Sequence, residues 1–351
     1  MRVFTVLGPS HSGKSTLVEA LAALDGKPGK SFEIPGLARA VSFGYMDNDW
    51  VALDIAGGSE NLGPVGSALA ASDAAVLVVP ADADAAVLAA PYLRMIEEAN
   101  VPAFVFINKT DAPNSRMSEV VSALQTYSRH HIVLREVPIR EGETIVGVVD
   151  LVSERAWKFH DGAPSTLMEI PAAVRPREAE ARGEMLESYA DFDDKLLEEI
   201  IEDQKVMAEE VYDVAARVLQ HNDLVPAFLG SGEHRNGVNR LMKALRHEAP
   251  EAAVAAGRLG DGAIAVGALA DTVKHLGKTV LVRALAGEVA SGKPLAGENV
   301  GSVTDLDAKS PLERISAGAV GLTVKSDHLN AGQAFGAESA LDLPAWARPH
   351  A

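Results

Sequence analysis

The sequence predicts an α/β domain on a parallel sheet, interrupted by an α+β insertion and followed by a small antiparallel β-barrel. Three observations predict it. Up to Asp111, short and almost wholly apolar runs alternate with amphipathic helical patterns; such strands are buried on both faces, as in a parallel sheet covered by helices. From 174 to 221 a long acidic helical stretch breaks that alternation. Beyond about residue 263, short β-rich runs are punctuated by Gly-Lys, Ser-Gly-Lys and Asn-Ala-Gly turns, the texture of a small barrel.

In order, the first part offers strands at Val3–Leu7, Trp50–Leu53, Ala74–Val79 and Ala103–Ile107, with helices at Ser15–Leu24, Val65–Ala71 and Ala85–Ala99. A helix follows Asp111 through Tyr127. Short strands come next at Ile132–Pro138, Thr144–Val149 and Ala156–Phe159, the first two joined by the turn Arg140–Glu143. The helical stretch breaks near Asp191–Asp194. There Leu196, Leu197, Ile200 and Ile201 form an apolar stripe beside Glu198, Glu199 and Glu202. Leu224–Leu229 resumes as a buried strand, running into the loop Gly230-Ser-Gly232 and a helix at Gly237–Arg246. Ala249–Gly257 reads as a linker. Barrel strands are expected at Ala263–Leu269, Lys278–Ala286, Gly301–Asp305 and Ala319–Val324. The division expected is 1–257, with its insertion at about 130–222, then 258–342, then a linker at 343–351. That tail makes the chain read as the front part of something longer.

Composition narrows the classes. With 351 residues and 47 % hydrophobic content the chain can bury sizeable cores. It contains no cysteine, which excludes disulfides, thiolate metal sites and cysteine nucleophiles. No apolar run reaches the ~18 residues of a membrane span, and no signal-peptide pattern opens the chain; the expectation is a cytoplasmic monomer. A net charge of −17 argues against broad phosphate-backbone binding and hence against DNA.

Three motifs carry chemistry. Gly8-Pro-Ser-His-Ser-Gly-Lys-Ser15 follows an apolar strand and opens a helix, the context a phosphate loop requires. Gly8 and Gly13 let the backbone curl so that N–H groups from His11, Ser12 and Gly13 to Thr16 face an anion. Lys14 brings a charge to β- and γ-phosphates, and Ser15 a hydroxyl to Mg²⁺. Asp54-Ile-Ala-Gly-Gly58 ends another strand. Asp54 is expected to hold Mg²⁺ through a water, and Gly57 to place its N–H on the γ-phosphate. Asn108-Lys-Thr-Asp111 ends a third strand. Asp111 can accept two hydrogen bonds from guanine N1 and N2, where adenine has no such donor pair; at ~1.5–3 kcal/mol each, this discriminates roughly a hundredfold. Asn108 is expected to tie neighbouring loops, the Lys109 stem to cover one face of the base, and Gly230, Ser231 and Gly232 to bring N–H groups to guanine O6. Motif order and strand context point to GTP or GDP with Mg²⁺.

These residues resemble the first two domains of elongation factor G among the translational GTPases. Beyond the three motifs, Leu134-Arg-Glu-Val-Pro-Ile139 with Gly147-Val-Val-Asp-Leu-Val152 is similar to the hairpin of the insertion in that family's G domain. Glu187-Ser-Tyr-Ala-Asp-Phe-Asp-Asp-Lys-Leu-Leu197 is similar to its acidic helical segment, Pro226–Gly232 to its guanine-contacting loop, and Glu313–Gly321 to part of its second-domain barrel. The long segment between Asp111 and Ser231 separates the chain from release-factor and elongation-factor-Tu relatives. The resemblance implies a P-loop GTPase domain and a ribosome-associated role in translation. It also implies a stalk-protein partner near the helices of Glu198, Glu199 and Glu202, and ribosomal RNA near Lys274, Lys278, Arg283 and Lys293.

The departures matter for activity. The family's second motif reads Asp-Thr-Pro-Gly-His, and its histidine positions the attacking water; here that position is Gly58. Positioning and electrostatics carry most phosphoryl-transfer catalysis, so hydrolysis is expected to be slow, with Lys14 and Gly57 left as the catalytic groups. Ser59, Glu60 and Asn61 are the nearby substitutes. The segment before Asp54 lacks the family's Arg-Gly-Ile-Thr, leaving Ser31 and Ser42 as stand-ins. His11 occupies the place of a family aspartate, where it can neutralise charge near the bridging oxygen. Two readings follow: a ribosome-coupled GTPase, or a slow GTP/GDP switch without translocation activity. A small-molecule kinase shares the phosphate loop but has no use for Asn108–Asp111.

Overall fold

The computed structural model describes residues 1–26, 28–112, 116–260 and 262–347. Its first unit begins with β1 (Arg2–Leu7), α1 (Lys14–Ala22), β2 (Ser31–Ile34), β3 (Ala38–Tyr45) and β4 (Asn48–Ile55). It continues with α2 (Val65–Ala70), β5 (Ala74–Pro80), α3 (Ala90–Ala99), β6 (Ala103–Asn108), α4 (Met117–Gln125) and β7 (His131–Leu134). Then come β8 (Glu136–Glu141), β9 (Thr144–Asp150), β10 (Arg155–His160), β11 (Ala163–Met168), α5 (Arg175–Ala190), α6 (Asp194–Ile201) and α7 (Ala208–Gln220). The unit returns through β12 (Leu224–Leu229), α8 (Val238–Glu248) and α9 (Ala252–Arg258).

Eight strands form one sheet in the order β2-β3-β4-β1-β5-β6-β12-β7. From β4 to β7 every neighbouring pair is parallel, whereas β2, β3 and β4 pair antiparallel. The apolar strands β1, β5, β6 and β12 lie in the buried centre, as their composition requires. The β2–β3 hairpin was not expected; it alternates buried with exposed positions and carries Arg39, so it reads weakly as a strand.

The expected strand Ile132–Pro138 is two strands in two sheets. His131–Leu134 pairs in parallel with β12, and after Arg135 the chain starts a hairpin of β8 with β9. That hairpin continues through β10 into β11, a strand the sequence did not reveal, to make a four-stranded antiparallel sheet. Its apolar face packs with Met185 and Tyr189 of α5, Leu196 of α6 and Val211, Val214 and Val218 of α7. Of the expected apolar stripe only Leu196 is buried; Leu197 and Ile201 are exposed, and the helical stretch breaks a second time between α6 and α7.

Arg135 sits where the chain changes sheets. It is fully buried, its two terminal nitrogens donate to Glu248 of α8 at 3.1 and 3.2 Å, and its N–H donates to Ala227 O. Next to it, Glu136 is also buried; its Oε2 accepts from Leu229 N–H at 2.8 Å, while Oε1 has no partner among the described residues. Burial pushes the Glu136 carboxyl up to about 7, against the opposing pull of Arg240, Leu229 N–H and Arg135.

The second unit starts with β13 (Ala265–Val273) and β14 (Gly277–Ala284). These join Ser302–Thr304, Pro311–Leu312, Val320–Val324, Ala334–Phe335 and Ala340–Leu341 in a seven-stranded antiparallel sheet around Val280, Val282, Leu295, Val303 and Phe335. The stretch expected as a linker, Ala249–Gly257, instead carries α9. The two units share one hydrophobic cluster, from Leu7, Leu77 and Ile107 through Val65 and Leu69 of α2 to Val266, Leu269 and Leu281. Residues 343–347 of the expected tail linker pack into it through Leu343 and Ala347, and 348–351 lie outside the described residues.

At the seam, Arg283 of β14 donates to both Asp73 carboxylate oxygens at 2.8 Å and to Ala71 O at 2.7 Å, and Asp73 also accepts from Val3 N–H at 2.8 Å. Arg283 is 0 % exposed, so it is not the RNA-facing cation expected from the sequence. Lys278 is tied to Asp327 O and Asn330, whereas Lys274 and Lys293 remain exposed.

Two outcomes follow. Removing one partner of a buried ion pair leaves a charge without compensation, so Arg283→Met is expected to cost about 3–5 kcal/mol in urea denaturation; a loss below about 1 kcal/mol contradicts the seam's role. Glu136 has a raised folded-state pKa, so its contribution is full below the ordinary 4.5 and is lost as pH rises through about 7. Stability curves of Glu136→Gln across that window are expected to fall less steeply with rising pH than those of the parent, and parallel curves would refute this.

Candidate functional site

All three motifs end strands of the same sheet at its carboxyl edge, where open α/β sheets place ligands. The phosphate loop leaves β1 and enters α1 through Gly13, whose φ of 89° is left-handed. Gly8 has φ 144°, and a Cβ there would stand 2.1 Å from Val78 O. Gly57 is glycine for a different reason: a Cβ would lie 2.4 Å from Ser10 N and 2.8 Å from Gly8 O, so the second motif rests directly on the phosphate loop. Lys14 Nζ donates to Gly8 O at 3.0 Å and Pro9 O at 2.9 Å. Burial pulls the Lys14 ammonium below its usual range, and Asp54 opposes the shift.

Asn108 joins the first and third motifs to the loop after β12. Its Nδ2 donates to Ser12 O at 2.8 Å and its Oδ1 accepts from Gly232 N–H at 2.9 Å. A Cβ on Gly13 would meet Asn108 Nδ2 at 2.3 Å, so the amide and the missing side chain fit together. Lys109 Nζ donates to His11 O at 2.7 Å, which lays the Lys109 stem across the site. His11 is exposed with φ 61°, and Thr16 and Asp111 are also exposed.

The loop after β12 differs from expectation in one respect. Gly230 N–H bonds Ile107 O, Ser231 N–H bonds Asn236 O and Gly232 N–H bonds Asn108, so none of the three is free to meet guanine O6 in this conformation. The same loop brings in His234, which the motifs did not signal. Its Nε2 lies 3.8 Å from Asp111 Oδ2, and its Nδ1 pairs with Asp161 of the insertion at 2.5 Å. The bond to Asp161 raises the His234 pKa.

Ser15 and Asp54 lie close together, and Ser15 favours the charged form of the Asp54 carboxyl. Burial raises the Asp54 carboxyl, against Ser15, Arg39 and Lys14, which favour its charged form. The stand-ins Ser31 and Ser42 are not near this point: Ser42 pairs with Val51, toward the other end of β4, and Ser31 with Val41. Directly opposite Asp54 on β3 is Arg39, whose guanidinium lies 3.7 Å from Asp54 and 3.2 Å from Glu19. A lone arginine in a weak strand pattern gave no signal for this.

Gly58 has φ 110°, and its N–H donates to the hydroxyl of buried Tyr92 at 3.0 Å. A Cβ there would meet the Glu60 carboxylate at 2.3 Å. Asn61 Nδ2 donates to Gly57 O at 2.8 Å, so of the three substitutes it is committed to the backbone.

Residues 34–251, more than half of the chain, match the family described as Elongation factor Tu GTP binding domain. An elongation factor G-like protein of Synechocystis sp. is 28 % identical over 98 % of this chain and 55 % of its own length. Elongation factor G 2 of Anaeromyxobacter dehalogenans is 34 % identical over 42 % of this chain and 22 % of its own length. A crystal structure of a Thermus thermophilus protein superimposes on 100 % of this chain and 56 % of its own, with a TM-score of 0.82 and 23 % identity, which speaks for the fold. The chain thus spans about half the length of the Synechocystis relative. Among the described residues no helix is long and apolar enough to cross a membrane. The chain belongs to the elongation-factor GTP-binding family, as an elongation factor G-like translational GTPase, a family that implies guanine-nucleotide binding.

Proposed function

We propose that this chain is a guanine-nucleotide switch that holds GTP or GDP with Mg²⁺, hydrolyses GTP slowly and works in association with the ribosome. In this reading residues 1–257 are the switch, 258–342 its companion domain and 343–351 a linker. The observation that supports it most is the pair of hydrogen bonds from Asn108 to Ser12 and Gly232, which link the phosphate loop to the loop beside Asp111. On nucleotide binding Lys14 exchanges two carbonyl partners for phosphate oxygens, a stronger charge-assisted contact. Asp111 takes guanine N1–H and N2–H, and the Lys109 stem covers the base.

The residues present suit a magnesium ion. Ser15 would offer it a hydroxyl, and Asp54, buried beside Ser15, a carboxylate through a water. Bound there, it would neutralise charge on the β- and γ-phosphates. Association with ribosomes rests on the family and on the relatives' names as elongation factors.

Hydrolysis requires a water to attack the γ-phosphorus while the bond to the bridging oxygen breaks, releasing GDP and phosphate. An oriented acid–base group contributes roughly 10²–10⁴ to such a step. Gly58 supplies none, and its positive φ with the Tyr92 tether marks a backbone built for glycine. A slow switch therefore accounts for Gly58 better than an efficient turnover enzyme.

Single-turnover GTP hydrolysis is expected to stay slow and to rise less than about tenfold with ribosomes, since no side chain at 58 can be aligned by them; a stimulation of about a hundredfold or more contradicts the slow-switch reading. Asp111→Ala is expected to lower the preference for GDP over ADP by roughly a hundredfold in competition binding, and an unchanged preference would overturn the assignment of Asp111.

A further inference from the structure

A cleft of about 560 Å³ opens between α7, α8 and the start of β10. That is the size of a small-ligand site, roughly 300–1,000 Å³. Its lining includes the rings of Trp157, Tyr212 and Phe228. One face of α8 supplies Arg240, Lys243 and Arg246, spaced three residues apart, and β10 adds Arg155. The Arg240 guanidinium and the Lys243 ammonium stand 5.5 and 5.7 Å from the centre of the Trp157 ring.

Arg240 is paired with Asp150, but among the described residues Arg155, Lys243 and Arg246 have no carboxylate within 4.0 Å. Burial lowers the Lys243 pKa, and Arg240 and Arg155 lower it further, with no anion opposing them. Trp157 Nε1 and Arg246 Nε are buried without partners. In a chain of net charge −17, this is a local excess of positive charge and unused donors.

We propose that the cleft binds a small anion, a phosphate or carboxylate head on a flat apolar body. Arg155 and Lys243 meet the head, and the Tyr212 and Trp157 rings line the space for the body. Glu209 and Asp213 of α7 also line the cleft. An extended phosphate backbone running through the cleft would meet both carboxylates, so the lining selects a compact ligand over a nucleic-acid strand. Neither Lys14 nor Asp111 takes part, and the site is independent of the nucleotide reading.

The test is a titration of the full chain with 1-naphthyl phosphate and, separately, 1-naphthoate, read by the indole N–H resonance of Trp157. The chain's other two tryptophans, Trp50 and Trp346, serve as internal controls. A Lys14→Ala background keeps the phosphate loop from competing for the probe. The expected result is a saturable shift at Trp157 alone with at least one of the probes. In Arg155→Ala/Lys243→Ala binding weakens about tenfold or more, as the loss of charge-assisted bonds requires. The same spectra report whether the variant is folded, and Arg155→Ala alone, at an exposed position, provides the comparison if the double variant is not. Absence of a saturable shift, equal affinity in the folded variant, or tighter binding of a single-stranded RNA oligonucleotide than of both probes would overturn the proposal.

Discussion

The side-chain amide of Asn108 is the knot on which the site depends. It ends β6, bonds back to Ser12 in the phosphate loop and forward to Gly232 after β12. Strand order explains why one residue can do this: β6 lies between β5 and β12, and β5 lies beside β1, so the carboxyl ends of β1, β6 and β12 open toward one edge. Both bonds are buried, where an unpaired amide group costs about 1–3 kcal/mol. The left-handed Gly13 leaves the space that the amide fills. The phosphate loop, the end of β6 and the loop after β12 are therefore parts of one hydrogen-bonded unit.

Buried arginines do comparable work at the seams further out. Arg135 spans the point where the chain leaves the main sheet, Arg283 closes the antiparallel unit onto Asp73, and Arg182 donates to Leu151 O and Val206 O inside the insertion. Each meets buried backbone carbonyls or a buried carboxylate. A guanidinium suits this because its fixed fork of donors reaches two acceptors at once.

Which parts were legible follows from this division of labour. The central strands β1, β5, β6 and β12 are almost wholly apolar, and glycine and lysine at motif spacing have few other uses, so both could be read directly. The β2–β3 hairpin could not, because its alternating pattern with Arg39 is that of an edge strand rather than a buried one. The split of Ile132–Pro138 was hidden because the charged pair Arg135-Glu136 reads as the solvent side of one strand, whereas both residues are buried at the change of sheet. Arg283 passed for a surface cation since its partner, Asp73, is remote in sequence. His234 and Tyr92 reach the site from other elements and belong to no motif.

Gly58 shows how a weak point in the motif series became informative. Its positive φ and the Tyr92 hydroxyl on its N–H describe a position suited to glycine, beside a phosphate loop left intact. The proposed slow switch rests on this pairing of an intact phosphate loop with a glycine at 58. The claim that binding rests on a single unit centred on Asn108 is tested most directly by comparing GDP and inorganic pyrophosphate binding to Asn108→Ala. The account predicts that both weaken, each by about tenfold or more, because the phosphate loop and the base loop lose the same support. A loss confined to GDP, with pyrophosphate bound as before, would contradict it.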